Sequence, residues 1–277
     1  MTRRTSIGWS ALALSTSLVL ALLWAAPLLW ALSTALRTEE GTVTLPVTWL
    51  PQRWSAAAFS KVLALGNMPL WVMNSALVAL AVTVLTVLIS IMAAYAFSQL
   101  RFKGRNALFW LAMLAFMLPF EALLIPLFRL MNQMDLIDTY AGLILPQIVS
   151  PVVIYVFKQF FDAIPADFRE AALLDGATPA RVLWHVYLPL SANIVWAMAI
   201  VVFIGAWNNF LWPFIVVASS EMMTIPLGLT QTQDAFGVRY AQQMAAALLG
   251  GLPVALAYLM FQRRVTHGFL AATGLKG

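Results

Sequence analysis

Two neighbouring amides stand among large aromatic residues in an otherwise apolar part of the sequence. The run is Trp207-Asn208-Asn209-Phe210-Leu211-Trp212-Pro213. Aromatic rings cover the apolar face of a sugar and amides bind its hydroxyl groups, so this pairing is typical of a carbohydrate-contacting surface. The alternative is hydrogen bonding between packed membrane helices, which polar residues often provide. Trp207, Asn208 and Asn209 are therefore candidates for solute contact, and Asn74 and Gln147 are weaker candidates of the same kind.

A single carboxylate, Glu121, interrupts another apolar stretch, and Pro119 and Pro126 flank it. On a straight helix that begins near Ala107, Glu121 lies roughly 21 Å along the axis. The prolines predict a kink that leaves part of the backbone unpaired. Because a buried charge in lipid is costly, Glu121 is a candidate for a cavity-lining or gating acid. The alternatives are a hydrogen bond to a neighbouring helix and a position near the membrane surface.

Catalytic and metal-binding patterns are missing from the sequence. There are no cysteines, and the two histidines, His185 and His267, are far apart, so we expect no metal site. The sequence also lacks a P-loop, a Gly-x-Ser-x-Gly elbow and a His-Glu-x-x-His motif. We therefore expect no enzyme activity and no bound cofactor on this chain.

The composition indicates that lipid is the solvent for much of the surface. Of the 277 residues, 62% are hydrophobic and only 10% are charged, whereas a soluble domain carries about 25% charged residues. The net charge is +5, but the basic residues stand at the ends of apolar segments. That placement indicates membrane topology and argues against nucleic-acid binding.

Long apolar stretches predict an all-α integral membrane protein with six transmembrane helices in a single domain over residues 1–277. A helix needs about 20 apolar residues to cross a bilayer. The predicted spans are 11–34, 70–98, 107–129, 140–161, 190–218 and 243–262.

The first span is also a candidate signal peptide, because two arginines precede it. Its apolar run is longer than the usual core of about 7–15 residues, and it contains Trp24, Pro27 and Trp30. We therefore favour a retained anchor.

The basic residues predict the orientation of the chain, since cytoplasmic segments are enriched in lysine and arginine. With both termini in the cytoplasm, the inside holds eleven basic residues and the outside five. The inside residues are Arg3, Arg4, Arg101, Lys103, Arg105, Lys158, Arg169, Arg181, Arg263, Arg264 and Lys276. The outside residues are Arg37, Arg53, Lys61, Arg129 and Arg239.

The segment between the fourth and fifth spans, 164–189, predicts two short helices around a turn. Pro165 opens the first helix, and Gly176 stands where a helix end needs a left-handed residue. Thr178 and Pro179 then predict an N-cap and a first-turn proline for the second helix. Such a compact knob suits docking to a cytoplasmic partner, and the alternative is a solvated connection between spans.

The spaced residues of this segment resemble the signature loop of binding-protein-dependent ABC importer permeases. The pattern is Glu170-Ala171-Ala172, Asp175-Gly176-Ala177, Val186 and Leu188-Pro189. The resemblance implies a cytoplasmic coupling helix that lies in a groove of a separate ATPase. Glu170 and Asp175 then belong to the docking site, Ala171 and Ala172 allow close approach, and Gly176 makes the turn. Asn193 departs from the pattern, where many relatives have proline.

Other segments resemble the carbohydrate type of these permeases, in particular the smaller maltose-type subunit. They are Thr48-Trp49-Leu50-Pro51, Met117-Leu118-Pro119 through Phe128, the run at 207–213 and the end of the chain from Phe261. The resemblance implies import of an oligosaccharide, polyol or glycerol phosphate across a bacterial inner membrane. It also implies a second permease, an ATPase dimer that holds ATP and magnesium, and an extracytoplasmic solute-binding protein. The tail, 265–277, is expected to reach the ATPase or to be a frayed end.

Two other classes of membrane protein compete with this interpretation. A transporter driven by an ion gradient predicts an intramembrane acid pair or matching broken helices in an internal repeat, and the sequence offers only Glu121. A membrane-embedded enzyme predicts clustered acids, histidines or metal ligands, which the sequence lacks.

Overall fold

The computed structural model is helical, and it describes the backbone of residues 4–64, 67–232 and 238–272. Side chains are described for 12–64, 67–230 and 238–260, and no β-strand occurs within these ranges. The α-helices are, in chain order, α1 (Arg4–Ala35), α2 (Glu39–Thr42), α3 (Ala57–Ala64), α4 (Met68–Gln99), α5 (Arg105–Phe116), α6 (Phe120–Gln133), α7 (Tyr140–Ile144), α8 (Pro151–Asp162), α9 (Ala166–Leu174), α10 (Pro179–Val182), α11 (Leu188–Leu190), α12 (Ala192–Trp207), α13 (Leu211–Val216), α14 (Ile225–Gly228) and α15 (Tyr240–Ala272). Short 3₁₀-helices occur at Leu145–Gln147, Ser220–Met222 and Leu229–Thr232, and a π-helical turn occurs at Leu183–Tyr187.

The helices confirm the predicted all-α membrane fold. Three are long and apolar enough to cross a membrane alone, and they are Leu12–Ala35, Met68–Gln99 and Tyr240–Met260. Three further candidates are helix pairs with a bend between them, and six spans result when each pair counts as one. The bends are 100° between α5 and α6, 48° between Tyr140–Gln147 and α8, and 83° between Pro179–Leu190 and α12.

Local sequence determines where several of these helices begin. Ser150 caps α8 by accepting a hydrogen bond from the Val153 amide at 3.5 Å, and Pro151 occupies the first turn. Thr139 caps α7 in the same way, through the Gly142 amide at 3.1 Å. By contrast, α4 runs for 32 residues, and its one proline, Pro69, stands in the first turn, where it does not interrupt the helix.

The chain divides into two compact units. The first comprises Met1–Pro69 and Leu229–Leu252, and the second comprises Leu70–Gly228 and Pro253–Gly277. In the first unit, the Glu39 carboxylate accepts hydrogen bonds from the Ala241 and Gln242 amides at 3.1 and 3.0 Å. These amides open α15, where the backbone N–H groups have no partner within the helix. Glu39 therefore caps the last helix of the chain.

The first unit also contains a buried arginine. The guanidinium of Arg37 lies over the Trp30 ring at 5.4 Å and donates to the carbonyl of Thr48. Trp49 packs edge-on against Trp30 at 5.1 Å, and its carbonyl accepts from Ser33 at 2.5 Å. These contacts hold the segment after the first span against the end of α1.

The second unit contains two clusters of buried apolar side chains. One joins four parts of the chain, which are α4, α8, the segment 182–187 and α12. It includes Ile91, Phe157, Phe161 and Tyr187. The other surrounds Trp212 and joins α4, α6, α7 and α13. The first cluster supports the segment 164–189, and the second supports the break in the helix after Trp207. The tail, 265–277, was predicted to reach the ATPase or to be a frayed end, and its side chains lie outside the described residues.

Candidate functional site

The segment 164–189 forms the predicted helix, turn and second helix. Pro165 precedes α9, and Gly176 after it has a φ of +79°. The Ala177 amide donates to the Ala172 carbonyl and the Gly176 amide to the Leu173 carbonyl, each at 3.0 Å. This pair of bonds is a Schellman motif, which ends a helix with a left-handed residue. The space around Gly176 is open, so its backbone conformation, and not crowding, requires glycine.

The second helix of the segment begins at the predicted cap. The hydroxyl of Thr178 accepts from the Arg181 amide at 3.3 Å, and Pro179 occupies the first turn of α10. The chain then makes a π-helical turn at Leu183–Tyr187 before α11. A π-helical turn of this kind is frequent at functional sites in helices. We call α9 with its turn, residues 166–178, the docking segment.

The docking segment exposes both acidic and apolar side chains. Glu170, Ala171, Asp175 and Gly176 are exposed, as the predicted role in partner docking requires. Leu174 is 88% exposed, and the sequence analysis did not single it out. Phe168 and Leu173 of the same short helix are also large and apolar, and they are 50% and 38% exposed. Several exposed apolar side chains on one short helix are a feature of surfaces that bind other proteins.

The opposite face of the docking segment packs on the chain itself. Ala172 and Ala177 contact the cluster around Phe161 and Tyr187. Ala172 was expected to allow close approach of a partner, and the structure instead places it half-buried against its own core. A small residue there lets α9 lie close to the membrane helices. The sequence pattern alone does not show which alanine of Ala171 and Ala172 faces the core, because both are equally apolar.

Asn209 and Gln147 form an amide pair between two interrupted helices. The side-chain nitrogen of Asn209 donates to the Gln147 side-chain oxygen at 2.6 Å. Gln147 in turn donates to the Leu143 carbonyl at 2.7 Å, and the Asn209 oxygen accepts from the Trp212 amide at 3.3 Å. The pair therefore joins the bend before α8 to the break between α12 and α13. These are the interhelical bonds that the sequence analysis gave as the alternative to solute contact.

Asn208 and Trp207 lie beside this pair at the end of α12. Asn208 is exposed, and its side-chain nitrogen donates to the Ile204 carbonyl at 2.9 Å. Trp207 is only 3% exposed, and its ring lies 5.8 Å from Phe203. Of the three candidates in this run, Asn208 is the one with its side chain open to the surroundings.

Glu121 lies in the first turn of α6, directly after the bend between α5 and α6. Pro119 precedes α6, and the axis turns by 100° between α5 and α6. The predicted position of Glu121, roughly 21 Å along the helix axis, assumed a straight helix from Ala107, and the bend makes that assumption wrong. Glu121 is exposed, and its neighbour Phe120 packs edge-on against Trp212 at 6.4 Å. Phe120, the residue before Glu121, and Asn209 thus contact the same tryptophan.

Asn74 has a different set of contacts. It is fully buried, donates to the Glu221 and Met223 carbonyls at 2.7 and 2.9 Å, and accepts from Tyr140 at 2.6 Å. Trp71 adds a bond to the Ser220 carbonyl at 2.8 Å. These bonds hold the loop 218–225 against the start of α4. Asn74 therefore holds this loop in place.

Asp138 joins two loops of the second unit. Its backbone φ is +58°, its amide donates to the Val216 carbonyl at 2.9 Å, and its carboxylate accepts from the Ala218 and Ser219 amides at 3.0 and 3.1 Å. Burial raises the pKa of the Asp138 carboxyl, but the hydrogen bonds from Ser219 and Ala218 together outweigh burial and hold this pKa below its ordinary value.

Metal-binding geometry does not occur in the described residues. Among them, no group of three or more histidine, aspartate or glutamate side chains is arranged to hold a metal ion. His185 makes a contact of 3.1 Å with the Arg181 carbonyl within its own helix. The side chain of His267 lies outside the described residues.

Comparison with known proteins identifies relatives over most of the chain. Residues 86–267 match the family described as binding-protein-dependent transport system inner membrane component. This range includes the docking segment, the amide pair and Glu121.

Individual relatives cover more of the sequence. The sulfoquinovosyl glycerol transport system permease protein SmoH of Agrobacterium fabrum is 36% identical over 253 residues, which is 91% of this chain and 88% of that protein. The arabinooligosaccharides transport system permease protein AraQ of Halalkalibacterium halodurans is 37% identical, over 75% of this chain and 74% of that protein. The sn-glycerol-3-phosphate transport system permease protein UgpE of Pectobacterium atrosepticum is 37% identical, over 73% and 72%.

A solved structure has the same fold. It is a bacterial ABC transporter involved in the import of the acidic polysaccharide alginate, and one of its chains aligns with a TM-score of 0.82. The alignment covers 95% of this chain and 98% of that chain at 21% sequence identity.

Proposed function

This chain belongs to the family of binding-protein-dependent transport system inner membrane components, and we propose that it is the permease subunit of an ATP-driven importer for a sugar or sugar-like solute. Its part in transport is to form the membrane pathway, and ATP is hydrolysed on a separate chain. The family places the chain in an inner membrane. We further propose that the membrane is that of a bacterium, that both termini lie in the cytoplasm, and that the cargo is an oligosaccharide, polyol or glycerol phosphate.

The observation that carries the proposal is the exposed surface of the docking segment. Glu170 and Asp175 flank Leu174, which is 88% exposed. The hydrophobic effect disfavours such a leucine in water, and its position outside the predicted spans separates it from lipid. A protein partner that covers Leu174 and faces the two carboxylates with basic or amide groups fits this surface. In an importer that partner is the ATPase.

The cargo assignment is supported by two independent features. The relatives are named for arabinooligosaccharides, sulfoquinovosyl glycerol and glycerol 3-phosphate, and all of these compounds carry several hydroxyl groups. The exposed amide of Asn208 and the ring of Phe210, which is 39% exposed, also offer the polar and aromatic groups that such compounds bind. Glu121, Trp207 and Asn209 remain candidates for the same pathway.

The proposed cycle begins when an extracytoplasmic binding protein delivers solute to this chain and a second permease. The ATPase dimer, with ATP and magnesium, closes on the cytoplasmic side. The docking segment moves with the ATPase and rearranges the spans, so that access alternates between the two sides of the membrane.

The test is capture of partners from the native membrane. The chain is purified in mild detergent and the co-purifying proteins are identified by mass spectrometry, for wild type and for Glu170→Lys. We expect an ATPase and a second permease with the wild type, and about tenfold less ATPase with Glu170→Lys, because the variant places a reversed charge in a desolvated interface.

Glu40→Lys is the matched control, because it makes the same charge change at an exposed position of the first unit. The control should recover as much ATPase as the wild type. A wild-type chain that purifies alone would contradict the proposal and would favour a transporter driven by an ion gradient.

A further inference from the structure

Arg37 is a buried cation that directly follows the first span. It is only 7% exposed. Its Nη2 atom donates to the Thr48 carbonyl and, at 3.4 Å, to the Ser33 hydroxyl. Its Nε atom is buried and makes no hydrogen bond with any described residue. A buried guanidinium with unused donors is costly unless an acceptor from outside the chain completes it.

The carboxylates next to Arg37 in the sequence do not neutralise it. Glu39 accepts hydrogen bonds from the first amides of α15, and Glu40 is exposed. Within the described residues, neither carboxylate forms an ion pair with Arg37. The groups that do contact the guanidinium are a carbonyl, a hydroxyl and the Trp30 ring at 5.4 Å. None of these carries a full negative charge, so Arg37 has no counter-ion among the described residues.

A polar cavity of about 370 Å³ lies beside this cation, within the first unit. Eight residues between positions 37 and 53 line the cavity, and they are three threonines, two arginines, a glutamine, a glutamate and a glycine. The second arginine is Arg53, which is exposed, and the glutamate is Glu40. Two guanidinium groups therefore share one cavity with a single carboxylate. Guanidinium donors bind the oxygens of a phosphate group better than an ammonium does, because their planar geometry matches them.

The same connection between the first two spans exposes large apolar side chains. Trp49, Leu50 and Trp54 are 68%, 69% and 66% exposed, and Leu50 and Trp54 stand on either side of Gln52 and Arg53 in the sequence. Indole rings so exposed are disfavoured in water, whereas the headgroup region of a bilayer accommodates them. This connection begins where the first span ends, which is the depth of the headgroups.

We propose that the cavity binds the phosphate group of a membrane phospholipid, with Arg37 and Arg53 as the donors and with Trp49 and Trp54 against the lipid. A phospholipid supplies both the anion that Arg37 lacks and the apolar surface that the two indoles lack. Glu40 lines the same cavity and accepts from a headgroup that also carries an ammonium group. In the predicted orientation the lipid belongs to the outer leaflet. The site is independent of the proposed function, because it requires only that the first span ends at the membrane surface.

The test is binding of phosphatidylethanolamine to the purified protein, measured by native mass spectrometry. The full chain is purified in mild detergent with the proteins that accompany it, washed free of loosely bound lipid and titrated with phosphatidylethanolamine. Arg37→Gln should weaken the tightest binding step about tenfold, which is the effect of one lost hydrogen bond to a charged group. Arg53→Gln should weaken it about threefold, because Arg53 is exposed and solvent screens its charge.

Arg129→Gln is the matched control. Arg129 is an exposed arginine of α6 that does not line the cavity, and it is predicted to lie on the same side of the membrane. This variant should bind phosphatidylethanolamine like the wild type. Arg53→Gln alters an exposed side chain, so it tests the site even where Arg37→Gln does not fold.

Two further measurements distinguish the phospholipid from other anions. Inorganic phosphate at millimolar concentration should neither displace the lipid nor raise the unfolding temperature. If it does both in the wild type and neither in Arg37→Gln, the site binds a free anion and the lipid assignment is wrong. If Arg53→Gln binds the lipid like the wild type but loses a solute-binding protein, the cavity binds a carboxylate of that protein, and the proposal is wrong.

Discussion

At the scale of single residues, Gly176 shows how one backbone angle shapes the docking segment. Its φ of +79° costs other residues about 1–2 kcal/mol. We predict that Gly176→Ala lowers the free energy of unfolding by about 1 kcal/mol and speeds hydrogen exchange in 172–178. Gly205→Ala is the control, because Gly205 is helical and the space around it is open. Equal stabilities of the two variants would contradict the assigned role of the angle.

The amide pair of Gln147 and Asn209 gives a second prediction at this scale. Asn209→Leu leaves the Gln147 side-chain oxygen without its donor, although the Gln147 nitrogen keeps its bond to the Leu143 carbonyl, and this loss should cost about 1–2 kcal/mol. Thermal unfolding in detergent measures this cost.

The double variant Gln147→Leu with Asn209→Leu should lose less stability than the sum of the two single losses, since the bond between the two side chains is then counted once. If the two single losses simply add in the double variant, the two side chains are not coupled.

Local rules predicted some residues of the site and missed others. Gly176, Thr178 and Pro179 follow from helix-end chemistry that acts over a few positions, and the structure confirms all three. The contact between the rings of Tyr187 and Tyr95 was not predicted, because Tyr95 lies more than 90 positions earlier in the sequence. Contacts across such distances depend on how helices pack, which hydropathy does not report.

At the scale of elements, three of the candidate spans are pairs of helices with a bend between them. Pro119 and Pro126 both stand near Glu121, but only Pro119 marks the break, and Pro126 lies inside α6. A missing N–H disrupts a helix only where neighbouring packing does not restore it. The sequence therefore predicted the apolar stretch and a kink within it. It did not predict the 100° bend, because the angle depends on packing.

Asp138 gives a pH prediction at the scale of elements, because it joins the loop before α7 to the loop after α13. Its folded pKa lies below the unfolded value, so its contribution to stability is present above the unfolded pKa and is lost as the pH falls through the folded pKa. We predict that the wild type is more stable than Asp138→Asn near neutral pH. The difference should shrink as the pH falls from about 6 to about 3.

Thermal unfolding across this pH range measures the difference. Asp135→Asn is the matched control, because Asp135 also has a positive φ, of 55°, and lies three residues earlier. A wild-type advantage over Asp138→Asn that does not change with pH would show that the carboxylate is not responsible.

At the scale of the whole molecule, the distribution of basic residues predicts which loops face the cytoplasm. The sequence has no cysteine, so a single introduced thiol is the only one on this chain. Leu174 and Leu45 are 88% and 85% exposed. We predict that Leu45→Cys reacts with a membrane-impermeant maleimide in intact spheroplasts. We predict that Leu174→Cys reacts only after the membrane is opened and the ATPase, which covers this position in the proposed complex, is stripped off.

Reaction of both thiols from the same side would contradict the predicted orientation. Reaction in the reverse order would place both termini outside and would separate the docking segment from a cytoplasmic ATPase. Leu45→Cys and Leu174→Cys thus serve as controls for each other within one experiment.

The cap that Glu39 places on α15 has a consequence for synthesis of the chain. Glu39 leaves the ribosome 202 positions before Ala241, the amide that it accepts from. During that interval the carboxylate has no helix end to bind, although the helices around it are already made. The first unit is therefore completed only when the final apolar helix emerges, and translation of the whole chain determines when this unit is finished.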